Sequence, residues 1–221
     1  MTRTALASGR PVELARPSDG RAPSRGLVLI PDIAGLRPLF DAHAARLADE
    51  HGWAVAAVEP WLGDDQQLTI EERLQSVDRI DDASFLADLV AAANLLDLEP
   101  VGVMGFCMGG MYTMTATGTG RFHRAAAFYG MIRVPEAWRG PTNVEPLDAV
   151  RSPGACPLLA VFGSVDHFTP PAEIEELRQT GAEVVVYEGA DHGFAHDDSR
   201  PSHRADDAAD AFRRAADFLS Q

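Results

Sequence analysis

The most regular feature of the chain is a series of short apolar runs separated by longer stretches with helical spacing. Each run is continuous and does not alternate with polar residues, which is typical of a strand covered on both faces in a parallel sheet. The runs are Gly26–Ile30, Trp53–Val58, Val101–Met104, Ala125–Tyr129, Pro157–Phe162 and Val184–Tyr187. We therefore predict a sheet whose central strands lie parallel and are buried.

The stretches between these runs carry apolar residues at helical spacing. The clearest begins near Pro38, places Phe40, Ala44 and Leu47 on one face, and ends at Gly52. Similar stripes cover Leu86–Leu96, the surroundings of Ile174 and Leu177, and Ala208–Leu219. Strands that alternate with helices imply right-handed crossovers. The predicted fold class is therefore α/β, a doubly wound, mostly parallel sheet with helices on both faces.

Three segments lack both patterns. Residues 1–25 alternate weakly and contain several glycines and prolines, which favours an N-terminal edge strand or hairpin. Residues 62–82 are polar and charged, so we predict a loop with a short helix that lies over the sheet edge as a lid. Residues 130–152 are a long excursion that contains prolines. No linker divides the chain, and we predict one domain over residues 1–221.

Charge and composition exclude several classes of partner. The chain has 19 Lys and Arg against 33 Asp and Glu, a formal net charge of −14, which would repel nucleic acid and anionic membranes. Residues 1–10 lack the apolar core of a signal peptide, and no run is long enough to span a membrane. We expect a cytoplasmic protein, monomeric or a small homo-oligomer, that acts on a small molecule. Both cysteines, Cys107 and Cys156, are predicted to be free thiols.

The candidate chemistry starts at Cys107. This residue follows an apolar strand and lies in a Gly-x-Cys-x-Gly pattern that precedes a helix. In a nucleophile elbow, a reactive side chain is held on a tight turn from strand to helix, and glycines flank it because a Cβ would clash with neighbouring backbone. The positive end of the helix dipole would favour the thiolate, which is the attacking form. The alternative is an inert buried cysteine.

Other chemically competent side chains also follow predicted strands. Asp32, Glu59, Tyr129, Asp166 and His192 each come just after an apolar run. Because ligands of such sheets bind beyond the carboxyl ends of the strands, these side chains are expected to collect at one edge. A thiol nucleophile needs a base, and the base needs a group that fixes its tautomer. His192 and Asp166 are the candidates for those two roles.

Three motifs together resemble the dienelactone hydrolase family of α/β-hydrolases: residues 105–110 around Cys107, residues 162–166 ending in Asp166, and residues 187–194 around His192. The order nucleophile, acid, histidine is also that of α/β-hydrolases. The resemblance runs from about Gly26 to the C-terminus. It implies an α/β-hydrolase fold, a Cys107–His192–Asp166 triad, an oxyanion hole made by the backbone N–H groups of Ile33 and Met108, and no metal or other cofactor.

Two positions depart from the family pattern. Asp32 stands where the family has a glutamate that contacts the resting thiol, so Asp32 either activates Cys107 or is an ordinary turn residue at a strand end. His196 stands where the family has an arginine that binds a substrate carboxylate, and a neutral imidazole cannot form the two parallel hydrogen bonds of a guanidinium. Alternative sources of positive charge are Arg73, Arg79 and Arg133. The candidate residues of the substrate pocket are Trp61, Tyr129, Phe194 and His196.

Sulfur as the nucleophile restricts the substrate. A tetrahedral intermediate expels its weaker base, and a thiol has a pKa of roughly 8.5 against about 10 for a phenol, whereas plain alkoxides are far more basic. Cys107 would therefore release simple alkyl esters unreacted, and activated esters, thioesters and enol lactones fit better. The predicted function is hydrolysis of a small activated ester or lactone through an acyl-cysteine.

The alternative is a protein with this fold that binds a ligand and catalyses weakly or not at all, and the replacements at Asp32 and His196 motivate it. A serine hydrolase is disfavoured because Ser164 is not in an elbow. Nucleotide binding is disfavoured because residues 105–110 lack the G-x-G spacing that the first two glycines of a G-x-G-x-x-G motif require.

Overall fold

The apolar runs of the sequence form the centre of one eight-stranded sheet. The computed structural model describes residues 1–221. The strands are β1 (Thr2–Ala5), β2 (Pro11–Ala15), β3 (Arg25–Ile30), β4 (Trp53–Val58), β5 (Val101–Phe106), β6 (Ala125–Phe128), β7 (Leu158–Gly163) and β8 (Glu183–Tyr187). Their order in the sheet is β1-β2-β4-β3-β5-β6-β7-β8. β1 and β2 form an antiparallel hairpin at one edge and β2 joins β4 antiparallel, whereas all pairs from β4 onward in that order are parallel.

Helices cover both faces of this sheet. They are α1 (Pro38–His51), α2 (Ile70–Leu74), α3 (Asp82–Leu95), α4 (Met108–Ala116), α5 (Pro146–Arg151), α6 (Pro171–Arg178) and α7 (Ala205–Ser220). Alternate residues of β3 enter two separate cores: Leu27 and Leu29 pack with α1 and α7, whereas Val28 and Ile30 pack with the core that contains residues of α3 to α6. The predicted α/β class, with its doubly wound, mostly parallel sheet, is confirmed.

The ends of the helices show how local sequence determines the boundaries. α1 begins at Pro38, whose fixed φ suits the first helical position, and ends at Gly52, which adopts φ 70° and donates its N–H to Ala48. α3 begins before its apolar stripe because the Asp81 side chain accepts the Ser84 N–H at 2.7 Å. Polar capping residues carry no periodic signal, so the apolar pattern alone puts the start of this helix too late. None of the helices is both long and apolar enough to cross a membrane.

The segments without apolar periodicity contain short helices. Residues 62–82 hold α2 between two turns of 3₁₀ helix, and α2 begins with a reciprocal pair of hydrogen bonds between Thr69 and Glu72. The excursion over residues 130–152 contains α5 and another 3₁₀ turn. Both segments are therefore structured, although little in their hydrophobic pattern predicts it.

The register of the parallel strands places the candidate site. Ile30 of β3 lies beside Gly105 of β5, and Phe106 of β5 lies beside Phe128 of β6. The next residues along these strands leave the sheet at the same edge. Cys107 and Tyr129 are therefore neighbours at the carboxyl edge, and the loop after β3 runs alongside them.

Candidate active site

Cys107 lies on a sharp turn between β5 and α4. Its backbone adopts φ 57° and ψ −120°, a conformation that residues with a side chain rarely adopt and that costs of order 1–3 kcal/mol. The surrounding structure holds the turn, since the Cys107 N–H donates to the Phe128 carbonyl at 3.0 Å and its own carbonyl accepts the Met111 N–H at 3.0 Å. The elbow predicted from the sequence is thus present as a strained turn.

Two glycines allow this turn to approach its neighbours. A Cβ on Gly109 would overlap the carbonyl oxygens of Ile30 and Pro31, and a Cβ on Gly105 would overlap the Gly109 carbonyl. The first turn of α4 therefore packs directly on the end of β3. This contact brings the backbone of Met108 beside the loop that contains Ile33.

His192 is held by Asp166. The His192 Nδ1 and an Asp166 carboxylate oxygen are 2.8 Å apart, and the other oxygen accepts the Phe168 N–H at 2.9 Å. The two loops can meet because residue 163 is glycine, and a Cβ there would overlap the Ala190 carbonyl. With Nδ1 hydrogen-bonded to Asp166, the Nε2 of His192 is the ring nitrogen left for the thiol.

Electrostatics favour the imidazolium form of His192. Burial alone would lower the pKa of this histidine, but the hydrogen bond with Asp166, the interaction with Cys107 and the negative charge of the Asp166 carboxylate raise the pKa to about 10. A protonated imidazole beside Cys107 favours the thiolate. The arrangement can therefore supply a nucleophile and the proton that a leaving group needs.

The N–H groups of Ile33 and Met108 are free to face a reacting oxygen. The Ile33 N–H donates to no acceptor within the protein. Met108 is the first residue of α4, so its N–H has no carbonyl one helical turn earlier. The close packing at Gly109 brings the segments that carry these two groups together, and their role as donors to a developing oxyanion stays a prediction.

The loop that carries Ile33 is fixed from behind by Trp61 and Arg73. The Trp61 indole N–H donates to the Ile33 carbonyl at 2.8 Å, and Arg73 approaches the same oxygen at 3.3 Å. The Arg73 guanidinium also lies over the Trp61 ring, 5.5 Å from its centroid. Trp61, a pocket candidate from the sequence, is buried behind the loop that carries Ile33.

Asp32 is buried and surrounded by donors. Arg37 donates to both carboxylate oxygens at 2.6 and 2.9 Å, His196 Nε2 lies 2.8 Å from Oδ2, and the Ala34 N–H donates to Oδ1 at 3.0 Å. Burial would raise the pKa of Asp32, but the hydrogen bonds from His196 and Arg37 lower it well below its usual range. No hydrogen bond joins Asp32 to Cys107. Arg37 is not singled out by the sequence, because a charged residue before a helix gives no periodic signal.

The remaining pocket candidates lie together beneath His192. Tyr129 and Phe194 are fully buried, with ring centroids 5.7 Å apart, and the Tyr129 ring meets His192 edge-on at 5.3 Å. His196 is also buried and is hydrogen-bonded to the Tyr129 hydroxyl. Direct contact of Trp61, Tyr129, Phe194 and His196 with substrate stays a prediction.

A residue absent from the sequence-based predictions covers His192 on the solvent side. Phe168 is 43% exposed and its ring meets the imidazole edge-on, with centroids 4.8 Å apart. Its only sequence signal is its position two residues after Asp166. An open cavity of about 600 Å³ also has His192 in its wall, together with Val165, Asp191 and Arg204.

The second cysteine lies away from this constellation. Cys156 precedes β7, is half-buried against the core, and burial raises its pKa to about 11. Both cysteines are free. One group of side chains could offer ligands to a metal, namely Asp166, His167 and Asp191, whose donor atoms lie within 4.8 Å of one another. Both Asp166 oxygens are already hydrogen-bonded, so this group has little capacity for an ion.

The sheet is mostly parallel, an elbow follows β5, and an aspartate and a histidine that are hydrogen-bonded to each other lie on the loops after β7 and β8. These features together define an α/β-hydrolase. The comparisons with known proteins agree. The sequence matches the model of the dienelactone hydrolase family over residues 12–221, and the chain belongs to that family. The predicted family is thereby confirmed, and with it the predicted class, a hydrolase of carboxylic esters or lactones.

The alignments with individual relatives extend over nearly the whole chain. A protein of Methylorubrum extorquens assigned as a carboxymethylenebutenolidase is 29% identical over 96% of this chain and 76% of its own length. The carboxymethylenebutenolidase of Rhodococcus opacus is 25% identical over 96% of this chain and 86% of its own length. A crystal structure from Klebsiella pneumoniae, of a protein assigned as a dienelactone hydrolase, superimposes with a TM-score of 0.88 at 27% identity, covering 100% of this chain and 98% of the other.

Proposed function

We propose that this protein hydrolyses small activated esters and enol lactones through an acyl intermediate on Cys107. The observation that carries the proposal is the position of His192, which is hydrogen-bonded to the buried Asp166 at 2.8 Å and interacts with the thiol of Cys107 on a strained elbow. This arrangement supports the roles of nucleophile, base and orienting acid that acyl transfer requires.

The first half of the reaction forms the acyl-cysteine. The Cys107 thiolate attacks the carbonyl carbon, a C–S bond forms, and the carbonyl electron pair moves to oxygen, where the Ile33 and Met108 N–H groups stabilise it. When the intermediate collapses, the bond to the leaving oxygen breaks and the His192 imidazolium donates its proton to that oxygen. The imidazole is then neutral.

The second half releases the acid. Neutral His192 takes a proton from a water molecule as that water attacks the thioester carbonyl, and the second tetrahedral intermediate expels the Cys107 thiolate. The open cavity beside His192 offers water a route to the imidazole. Asp166 holds the ring in place and balances the charge of the imidazolium in both halves.

The leaving group decides the class of substrate. A thiolate departs more readily than an alkoxide, so only an enolate, a phenolate or another thiolate competes with it. Carboxymethylenebutenolide, in the name of the Rhodococcus opacus relative, is a lactone of this kind, because opening its ring releases an enolate. We therefore propose an enol lactone as the substrate class, with aryl esters as convenient probes.

The charges near the site favour a narrower class of substrate, namely activated esters and lactones that carry no carboxylate. The cationic side chain of Arg37 and the imidazole of His196 are both committed to Asp32 and are not available to a substrate carboxylate. An uncharged activated ester needs no such partner. The test compares kcat/KM for an uncharged aryl acetate with kcat/KM for an aryl hydrogen succinate, which carries a carboxylate. Only a site that binds the carboxylate would favour the succinate, so we expect the acetate to be the better substrate.

The mechanism is tested by replacing the two cysteines separately. Cys107→Ala is expected to abolish turnover of 4-nitrophenyl acetate and to retain the circular dichroism spectrum of the wild type. Cys156→Ala is the matched control and is expected to keep wild-type turnover. Rapid quenching of the wild type should leave an acetyl group on Cys107, detected by mass spectrometry of peptides.

Two results would contradict the proposal. One is a Cys107→Ala variant with wild-type turnover, because the nucleophile would then lie elsewhere. The other is a wild type that turns over none of a panel of aryl esters, thioesters and enol lactones. That result would favour the alternative of a ligand-binding protein with this fold.

A further inference from the structure

A chain of buried hydrogen bonds runs beneath the candidate triad. The Tyr129 hydroxyl is 2.6 Å from His196 Nδ1, and His196 Nε2 is 2.8 Å from the Asp32 carboxylate, which Arg37 also holds. Tyr129, His196 and Asp32 each expose 3% of their surface or less. The three residues come from the ends of β6 and β3 and from the loop after His192.

The protons in this chain can be placed from its chemistry. Asp32 is ionised and can only accept, so His196 Nε2 carries a hydrogen and donates it. Burial lowers the pKa of His196, which keeps the ring neutral and leaves a lone pair on Nδ1. Tyr129 therefore donates its hydroxyl proton to Nδ1, while its oxygen accepts the His196 backbone N–H at 3.2 Å.

Asp32 has no acceptor capacity left for the thiol. A carboxylate offers about four lone-pair sites. Oδ1 accepts from the Ala34 N–H and from Arg37, and Oδ2 accepts from Arg37 and His196. Ala34, Arg37 and His196 thus occupy all four sites. Activation of Cys107 by Asp32 would first require one of these hydrogen bonds to break.

The chain of hydrogen bonds ends at Tyr129, whose ring contacts the imidazole of His192. Tyr129 follows β6 with φ 38°, and its N–H donates to the Val161 carbonyl at 2.6 Å. Its ring meets the His192 imidazole edge-on, with centroids 5.3 Å apart, while His192 Nδ1 is hydrogen-bonded to Asp166. The phenol hydroxyl, the only polar atom of this side chain, is fixed solely by His196.

We propose that Asp32, His196 and Tyr129 form a second Asp–His relay that positions His192 for its work on Cys107. Tyr129 and His196 are positioning residues, and Asp32 is the anchor of the relay instead of a base for the thiol. The relay keeps the Tyr129 ring at one angle, and that ring limits the rotation of the imidazole about its hydrogen bond to Asp166. The kinetic part of this inference rests on the proposed function.

The test uses substitutions that keep shape and remove hydrogen bonds. Tyr129→Phe keeps the ring and removes the hydroxyl. His196→Phe keeps a ring of similar size and removes both nitrogen atoms, whereas His196→Gln retains one donor and one acceptor and is the conservative control. Each variant is compared with the wild type by kcat and KM for 4-nitrophenyl acetate and by the pH dependence of Cys107 alkylation with iodoacetamide.

Tyr129→Phe and His196→Phe are expected to lower kcat about tenfold with KM within about twofold, because a misplaced imidazole impairs proton transfer and leaves ground-state binding intact. The half-maximal pH for alkylation is expected to rise in both, since a displaced imidazolium stabilises the thiolate less. His196→Gln should restore most of both losses.

Wild-type kcat and an unchanged alkylation profile in a folded Tyr129→Phe variant would overturn the relay, and so would equal losses in His196→Gln and His196→Phe. If His196→Phe does not fold, Tyr129→Phe alone decides. The alkylation measurement needs no substrate. A wild type without esterase activity would therefore contradict the proposed function while the alkylation profiles still test the relay.

Discussion

Phe168 lies edge-on to the imidazole of His192, with ring centroids 4.8 Å apart, although 43% of its own surface faces solvent. An exposed aromatic ring contributes little to the core, and the Phe168 ring contacts two imidazoles, those of His167 and His192, with centroids 3.9 and 4.8 Å away. The ring shields one side of the imidazole from water. A water molecule admitted there would compete with Cys107 for the imidazole of His192.

Replacing Phe168 is therefore expected to affect catalysis more than stability. Phe168→Ala should lower kcat/KM for 4-nitrophenyl acetate several-fold and change the free energy of unfolding by no more than about 1 kcal/mol. Urea titration and steady-state kinetics measure the two effects. Leu74→Ala, at a similarly exposed apolar residue on α2, is the control and should change neither. A large loss of stability with unchanged kcat/KM would contradict the prediction.

Trp61 is expected to act through the oxyanion loop. Trp61→Phe removes the indole N–H that donates to the Ile33 carbonyl, so the loop gains freedom and the oxyanion loses a well-placed donor. We predict a fall in kcat of roughly tenfold with little change in KM. Trp138→Phe is the matched control, because the Trp138 indole N–H makes no hydrogen bond in the protein. Equal effects of the two substitutions would argue against a role in the loop.

The two thiols should differ sharply in reactivity. Burial raises the pKa of Cys156 to about 11, whereas Cys107 lies beside an imidazolium and at the start of a helix. At neutral pH, substoichiometric iodoacetamide is expected to modify Cys107 at least about tenfold faster than Cys156, as peptide mass spectrometry would show. Preferential modification of Cys156 would mean that the site around Cys107 does not favour the thiolate.

Stability is expected to fall with mild acid. Burial lowers the pKa of His43 to about 4 and also lowers that of His196, so the unfolded chain binds more protons than the folded one below about pH 6.5. The free energy of unfolding should therefore fall as the pH drops from about 6.5, by up to about 1.4 kcal/mol per pH unit for each buried histidine. His192 has the opposite sign: its raised pKa stabilises the fold at every pH below 6.5 and does so less as the pH rises toward 10.

Denaturation with urea at a series of pH values measures this slope, and His43→Gln isolates one histidine. The variant should lose part of the slope between pH 6.5 and 4.5 while keeping the His192 contribution at higher pH. An identical slope in wild type and variant would show that His43 is protonated equally in the folded and unfolded states.

The sheet can be predicted well from the sequence because its central strands are buried on both faces. A continuous apolar run leaves no side of a strand for water, so it indicates a buried strand directly, and the predicted bounds of β3 to β7 agree with the structure to within a residue or two. The order of Cys107, Asp166 and His192 is informative for the same reason, since each follows such a run and parallel strands end at one edge.

The partners of these residues cannot be predicted in the same way. Asp32 meets His196 across 164 positions of the chain, and Arg37 reaches it from before α1. Hydrogen bonds between distant polar side chains leave no period in the sequence. The sequence therefore leaves open whether Asp32 is a turn residue or an activator, and the structure shows a carboxylate that caps its own turn and holds His196 and Arg37.

The strained turn at Cys107 limits which atoms this protein can use for attack. With φ 57°, the position disfavours any side chain branched at Cβ, which excludes threonine, whereas serine would fit without movement of the backbone. Position 107 can therefore hold either of two nucleophiles, cysteine or serine, which differ in one atom. The exchange of sulfur for oxygen at position 107 would alter which leaving groups can be expelled, while the sheet, the helices and the loops would keep their structure.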